Sequence, residues 1–252
     1  MKNRYIVLML MATFVVLSAC ETDSEGVSRP TFYPVFTLNG DEEMFVTPGD
    51  PYTEPGATAQ EEGAEIETSV SYAGTYFSGN VSSIDTDVPD KYTVTYSAVN
   101  KDGFPGTKER IVYVVGQGDL VNSIEGLYTS TVDRVPAAVP AFDGQYQNME
   151  YVLIAKTGAN TYVLSDVIGG YYDLPLGRGF GAGYAGPGAT VTANNIPANN
   201  FTFGPAVAVG AFGGAAEIKS MVVNATAKTI KFVTEWDGGP YTFTVTLKQV
   251  QL

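Results

Sequence analysis

The chain has 252 residues with 14 Lys+Arg against 27 Asp+Glu, a net charge of −13, and so acidic a surface repels nucleic acid and anionic membrane. It contains no histidine and one cysteine, which excludes a Ser-His-Asp triad, a Cys-His pair, His-ligated zinc and a disulfide framework. The chemistry left open is carboxylate, lysine, tyrosine or carboxylate-bound calcium, and no cofactor or metal site is expected.

At the start, Lys2 and Arg4 precede thirteen mostly apolar residues, Tyr5 to Leu17. That run matches a signal-peptide core and is too short for a bilayer of about 30 Å, which needs about twenty residues. Leu17-Ser18-Ala19-Cys20 resembles a bacterial lipobox. The resemblance to lipoproteins implies removal of residues 1–19, acylation of Cys20 on its sulfur and amine, and a lipid partner in the outer membrane. A plain secretory signal with a chance cysteine is the alternative. Cleavage would leave 233 residues with a charge near −15, enough for two domains. Residues 20–30 are polar and aperiodic and read as a flexible tether. Glu21, Asp23 and Glu25 resemble the acidic signal that sends Bacteroidetes lipoproteins to the cell surface, or else belong to a solvated linker.

Residues 31–115 show period-two patterning and no helix-length apolar stripe. From Lys91 to Val99, Tyr92, Val94, Tyr96 and Ala98 alternate with Lys91, Thr93, Thr95 and Ser97. That is a strand with one core face and one wet face. Arg110 to Val115 is a second strand, apolar on both faces after its arginine. Val35 to Leu38 and Met44 to Val46 flank the Asn39-Gly40 turn, and Asn100-Lys101-Asp102-Gly103 carries turn chemistry. Such strands with such punctuation indicate a β-sandwich. Leu38-Asn39-Gly40, residues 48–59, Lys91 to Ala98 and Arg110-Ile111-Val112 resemble a bacterial immunoglobulin-like domain found in Bacteroidetes surface lipoproteins. The resemblance implies a spacer or adhesion module. Glu54, Asp85 and Asp87 are the loop acids that calcium could use, or they are simply solvated.

Residues 116–119, Gly-Gln-Gly-Asp, form a linker short enough to keep two domains adjacent while allowing a hinge. Residues 120–252 are again strand-rich: Met149 to Lys156, Thr161 to Leu164, Ile218 to Val223, Thr229 to Glu235 and Tyr241 to Leu247. In the first of these, Met149, Tyr151, Leu153 and Ala155 are assigned to one face, and Glu150, Val152, Ile154 and Lys156 to the other. Asn224 to Lys228 and Asp237 to Pro240 read as hairpin connections. Hairpins in series without a crossover helix predict an antiparallel, β-barrel-like meander. Ile124 to Tyr128 and Thr244 to Lys248 resemble the ends of small lipocalin-like barrels, and of the C-terminal domain that follows this Ig-like module in Bacteroides lipoproteins of unassigned activity.

Ser165 to Gly188 holds eight glycines. Within it, Gly181-Ala182-Gly183-Tyr184-Ala185-Gly186 matches a dinucleotide fingerprint in letters only, because Pro187-Gly188 follows where a helix must begin. Asp166, Tyr171, Tyr172, Asp173, Arg178, Phe180 and Tyr184 are interleaved with the glycines, and Trp236 sits at a strand end. Aromatic rings stack on sugar faces while carboxylate and arginine bond hydroxyls, so Asp166, Tyr171, Tyr172, Arg178, Tyr184 and Trp236 are the candidate ligand face. Sheet packing is the alternative for the same residues. For a glycosidase the candidate acids are Asp166, Asp173, Glu217, Glu235 and Asp237, and no spacing singles out a pair.

The expectation is an all-β, non-enzymatic surface lipoprotein, with an Ig-like stalk and a barrel-like domain that holds glycan beside an outer-membrane transporter complex. The alternatives are an adhesion protein with a protein partner, and a carboxylate hydrolase.

Overall fold

The structure, a computed structural model, describes residues 30–252. The expected signal peptide, the lipidation site Cys20 and all but the last residue of the tether lie outside the described residues. The first domain contains β1 (Val35–Leu38), β2 (Glu43–Val46), β3 (Ala57–Glu61), β4 (Ala64–Ile66), β5 (Ser69–Gly74), β6 (Asn80–Val81), β7 (Asp90–Val99) and β8 (Pro105–Val114). They form two sheets, β1-β3-β4 and β2-β8-β7-β5-β6, with β2 running parallel to β8. Tyr92, Val94 and Tyr96 of β7 and Val112 and Val114 of β8 fill the space between the sheets, with Phe36, Leu38 and Ala57 of the smaller sheet packed on them. The alternation expected along β7 is present: its Tyr92, Val94, Tyr96 and Ala98 are buried, and the residues between them only partly so.

Arg110 is the one cation in this core. Its side chain is fully buried, and Nε donates to Glu54 Oε1 at 2.8 Å. The guanidinium also donates to the carbonyls of Asn39, Gly56 and Asp41. A buried charge is tolerable only when its donors are satisfied in this way. Glu54 therefore bonds to Arg110, Tyr52 and Tyr96 rather than joining Asp85 and Asp87 as a calcium site. Among the described residues no three carboxylates gather to hold a metal.

The second domain contains β9 (Gly126–Val135), β10 (Met149–Lys156), β11 (Thr161–Leu164), β12 (Ala189–Asn195), β13 (Asn200–Phe203), β14 (Val207–Ala208), β15 (Ala215–Asn224), β16 (Thr229–Trp236) and β17 (Tyr241–Gln249). They make one antiparallel sheet in the order β13-β12-β11-β10-β9-β17-β16-β15-β14. The first strand of the domain thus pairs with the last, and the sheet curls into a half-barrel whose end strands are not paired to each other. Along β17, Phe243, Val245 and Leu247 point inward and the threonines between them stay near the surface.

The assigned faces of β10 need correcting. The register to β9 shifts between Met149 and Val152, so Met149 joins Val152 and Ile154 inside the half-barrel rather than Leu153 outside it. A bulge adds one residue and thereby switches side-chain parity.

Leu153 and Leu127 leave the outer surface of the half-barrel and pack on Tyr113 and Val115 of the first domain, with Ile111 and Tyr151 at the margin. The Tyr113 and Tyr151 rings meet edge to face at 5.7 Å. This shared cluster explains why β8 is apolar on both faces. It also changes the reading of the linker. Gln249 Nε2 holds the Gly118 carbonyl at 2.7 Å, and any Cβ at Gly118 would lie 2.3 Å from the Ser123 carbonyl oxygen. The joint is packed in place, where the sequence alone suggested a hinge.

Candidate functional site

The glycine-rich segment 165–188 is the filling of the half-barrel. Val167, Ile168, Tyr171 and Leu174 lie in the same core as Phe232, Phe243 and Val245 of the sheet. Asp166 ties the segment into a loop: its carboxylate accepts the backbone N–H groups of Ile168 (3.0 Å), Gly170 (2.8 Å) and Gly186 (3.0 Å). Burial pushes the Asp166 pKa up to about 7 despite these donors. The sheet grips the segment from outside. Ser130 Oγ donates to the Gly169 carbonyl at 2.7 Å and Thr234 Oγ1 to the Val167 carbonyl at 2.8 Å. Gly169 and Gly170 take left-handed φ of 69° and 81°, and a Cβ at either would strike Val245 or Leu174. Ala182–Tyr184 is a three-residue 3₁₀ turn, so the dinucleotide-like letters open no helix.

Asp166 and Tyr171 are therefore not on a loop-borne face, as the sequence led us to expect. They are buried within the filling, because the loop folds into the barrel instead of over its rim. Tyr172 and Trp236 are also buried, at 7% exposure each, just under the surface, and the Trp236 indole donates to the Gly213 carbonyl at 3.1 Å. Tyr184 is half-buried and Arg178 exposed.

Three of the six candidates do come together, through a residue the sequence reading passed over. Phe212, 46% exposed, has its ring centroid 4.6 Å from Tyr172, 5.0 Å from Tyr184 and 6.2 Å from Trp236. Phe180, 51% exposed, lies 5.1 Å from Tyr184. The result is an aromatic apron at one end of the half-barrel, with Phe180 and Phe212 outermost. Phe212 stands between Gly210 and the pair Gly213-Gly214. A second short glycine cluster bearing an aromatic was the signal that could have found it.

The apron continues into a cleft. Tyr241 stacks on Trp236 at 5.8 Å, and the Arg134 guanidinium lies 4.3 Å above the Tyr241 ring and 5.5 Å from the Tyr171 ring. Tyr171 in turn stacks flat on Tyr146, centroids 4.4 Å apart with the planes 8° from parallel. Arg134, Tyr146 and Tyr171 border a cleft of about 390 Å³ between β9 and the segment leading to Tyr146 and Gln147. Burial, foremost, and a hydrogen bond with the Tyr146 hydroxyl hold the Tyr171 hydroxyl above the ordinary phenol range, against the nearby Arg134 and Arg178 charges.

The carboxylates weighed for hydrolysis are engaged elsewhere. Asp166 caps backbone, Asp173 accepts from the Tyr76 hydroxyl at 2.7 Å, and Asp237 accepts the Ala215 N–H at 2.5 Å. Glu217 and Glu235 face each other across β15 and β16, with Lys219 at 2.7 and 3.6 Å from them.

A bacterial surface protein Ig-like domain model matches residues 36–114, and the C-terminal domain model of the BT2262-like family matches residues 117–249, just over half of the chain. The chain belongs to the BT2262-like lipoprotein family. The crystal structure of the lipoprotein BT2262 from Bacteroides thetaiotaomicron is similar to it at 26% identity and a TM-score of 0.63. That match covers 86% of this chain and 100% of the BT2262 chain. No curated protein matches the chain. As in the sequence reading, this chain joins an Ig-like module to a strand-built C-terminal domain, which is a curled half-barrel.

Proposed function

We propose that this protein is a non-catalytic lipoprotein of the outer-membrane surface that holds glycan on the open end of its C-terminal half-barrel, as an accessory to polysaccharide capture by a transporter complex. The Ig-like domain serves as a stalk. Its packed joint gives the ligand face a fixed direction relative to that stalk. The observation that carries the reading is the apron of Phe180, Tyr184 and Phe212, backed by Tyr172 and Trp236. Two half-exposed rings with no strand or helix over them are the kind of surface on which pyranose C–H faces stack.

Gel retardation in soluble polysaccharides tests this. Retardation by at least one neutral glycan, lost in Phe212→Ala but retained in a variant of the remote Phe104, supports the reading; no retardation by any glycan rejects it. One observation favours a protein partner instead. Tyr33 and Phe104, 57% and 43% exposed, pair at 5.6 Å on the Ig-like domain. Pull-down of envelope proteins that depends on Tyr33 and Phe104, with no glycan retardation, would select that alternative.

A further inference from the structure

A second cleft, of about 530 Å³, opens where the two domains meet. The Ig-like domain lines it with Thr75, Tyr76, Lys91 and Thr93, and the barrel filling lines it with Asp173, Gly179 and Gly181 among others. Its volume falls in the range of small-ligand pockets, about 300–1,000 Å³.

Both walls are held in place. Tyr92 and Val94 of β7 turn into the sandwich core, so by the two-residue repeat Lys91 and Thr93 turn outward to the cleft. The loop after β5 is fixed by Asp90, whose fully buried carboxylate accepts the N–H groups of Tyr76 (3.0 Å), Phe77 (2.9 Å) and Ser78 (2.9 Å). The Thr75 N–H donates to the Lys91 carbonyl at 2.8 Å, which sets Thr75 beside the strand. Opposite, the N–H groups of Gly179, Phe180 and Gly181 donate to the carbonyls of Leu174, Tyr172 and Asp173. The Tyr76 hydroxyl, on Asp173 Oδ2 at 2.7 Å, ties one wall to the other. A site built before its ligand arrives spends little on ordering when it binds.

The polar groups of the cleft decide what fits. The Lys91 charge is felt at Asp173 and at Glu43, yet its ammonium is more than 4 Å from either carboxylate. Lys91 and Asp173 thus line one cleft with a gap between them. An ionised carboxylate accepts about four hydrogen bonds, and Tyr76 supplies one of them. Ammonium only donates and carboxylate only accepts, so the group that serves both is a hydroxyl, which does either. An acidic ligand would meet the like charge of Asp173 and an amine that of Lys91, whereas a neutral polyol meets neither. The Thr75 and Thr93 hydroxyls work in both directions and suit the same ligand.

The cleft also adjoins the apron. Phe180, its half-exposed outer ring, stands between Gly179 and Gly181 of the cleft wall. A Cβ on Gly181 would meet nothing within 4 Å, so the rim is open where the two surfaces join.

We propose that the interdomain cleft takes an uncharged sugar unit whose neighbouring hydroxyls bridge Lys91 and Asp173, beside a unit stacked on Phe180, so that the Ig-like domain is one wall of the binding site as well as its stalk. This rests on the glycan reading above and adds to it the class of sugar and the part played by the first domain.

Affinity electrophoresis of the full chain through galactomannan, laminarin, hydroxyethyl-cellulose and polygalacturonate provides the test. At least one of the three neutral polysaccharides should retard the protein, and polygalacturonate should not. Lys91→Met should weaken that retardation about tenfold and Thr93→Val about fivefold, the worth of one hydrogen bond to a charged and to a neutral group. Lys108→Met, on the same domain and paired with Glu42, should leave it unchanged. A measurement on the unsubstituted protein removes any dependence on how the variants fold: the retarding polysaccharide should slow acetylation of Lys91 by acetic anhydride, mapped by mass spectrometry, and not that of Lys108. Acetylation of Lys91 at an unaltered rate overturns the cleft, as does retardation that survives both substitutions but is lost in Phe212→Ala; either result leaves the apron reading standing. Retardation by polygalacturonate as strong as by the neutral polymers overturns the assigned sugar class. Retardation by none of the four overturns this proposal and the glycan reading together.

Discussion

Tyr76→Phe tests how the two domains are joined. The Tyr76 hydroxyl of the Ig-like domain donates to Asp173 Oδ2 of the barrel filling at 2.7 Å, and Asp173 is only 6% exposed. A hydrogen bond to a charged acceptor contributes about 1.5–3 kcal/mol, against about 1 kcal/mol for a neutral one. Burial raises the Asp173 pKa, while the Tyr76 hydroxyl and the Lys91 charge hold it down. Removing the hydroxyl lifts one restraint, so the pKa climbs further. A carboxyl whose folded pKa lies above its unfolded value favours the fold fully when protonated, and that advantage is lost as pH rises through the folded pKa. The variant should therefore lose at most about 1 kcal/mol near pH 3, below the ordinary carboxyl value that burial has raised, and about 2–3 kcal/mol near pH 8. Urea denaturation at both pH values, followed by circular dichroism and by Trp236 fluorescence, measures the difference. An equal loss at the two pH values, or none at pH 8, refutes the account of Asp173 as an ionisable lock between the domains.

Asp166 gives a second pH signature. With its pKa raised to about 7 by burial, stability should fall as pH rises from the ordinary carboxylate range to about 7 and then level off. Roughly three pH units at about 1.4 kcal/mol each bound that fall near 4 kcal/mol, and denaturation curves of Asp166→Asn should show the slope flattened. Gly170→Ala forces a left-handed φ of 81° and puts a Cβ 2.2 Å from Leu174, whereas Gly181→Ala, with φ 87°, meets nothing within 4 Å. The first should cost about 2–5 kcal/mol and the second about 1–2 kcal/mol by thermal or chemical denaturation. Arg110→Met leaves Glu54 buried without its cation and should cost about 3–5 kcal/mol, most of it recovered when Glu54→Leu is added.

Much of the fold was legible because its signals are local. The alternation of β7 and β17 and the turn residues of the two last hairpins follow from neighbours in sequence. What stayed hidden required two elements to meet. Bulged β10 cannot be distinguished from a regular strand by its letters, so Met149 was assigned to the wrong face. Segment 165–188 carries glycine and tyrosine in the proportions of a binding loop, and only its tertiary course shows that the glycines let Val245 and Leu174 approach closely. The apron was half legible: Tyr172, Tyr184 and Trp236 were named, but Phe212, which links them, lay in a stretch with no alternation to recommend it. Arg134 and Tyr146 were missed for a plainer reason. Each looks ordinary alone, and only the fold brings the two to one cleft.

The pairing of β9 with β17 has a consequence for how the molecule comes into being. A growing chain presents the Ig-like sandwich complete, since all its partners lie within about eighty residues, but β9 must wait for the final strand before its second edge is covered. Until then the hairpins on either side have no common wall, and the glycine-rich filling has nothing to fill. A nascent chain stopped short of Tyr241 would carry a finished stalk and an unfinished head, so trimming the last strand should abolish the second domain as a unit rather than fray its edge.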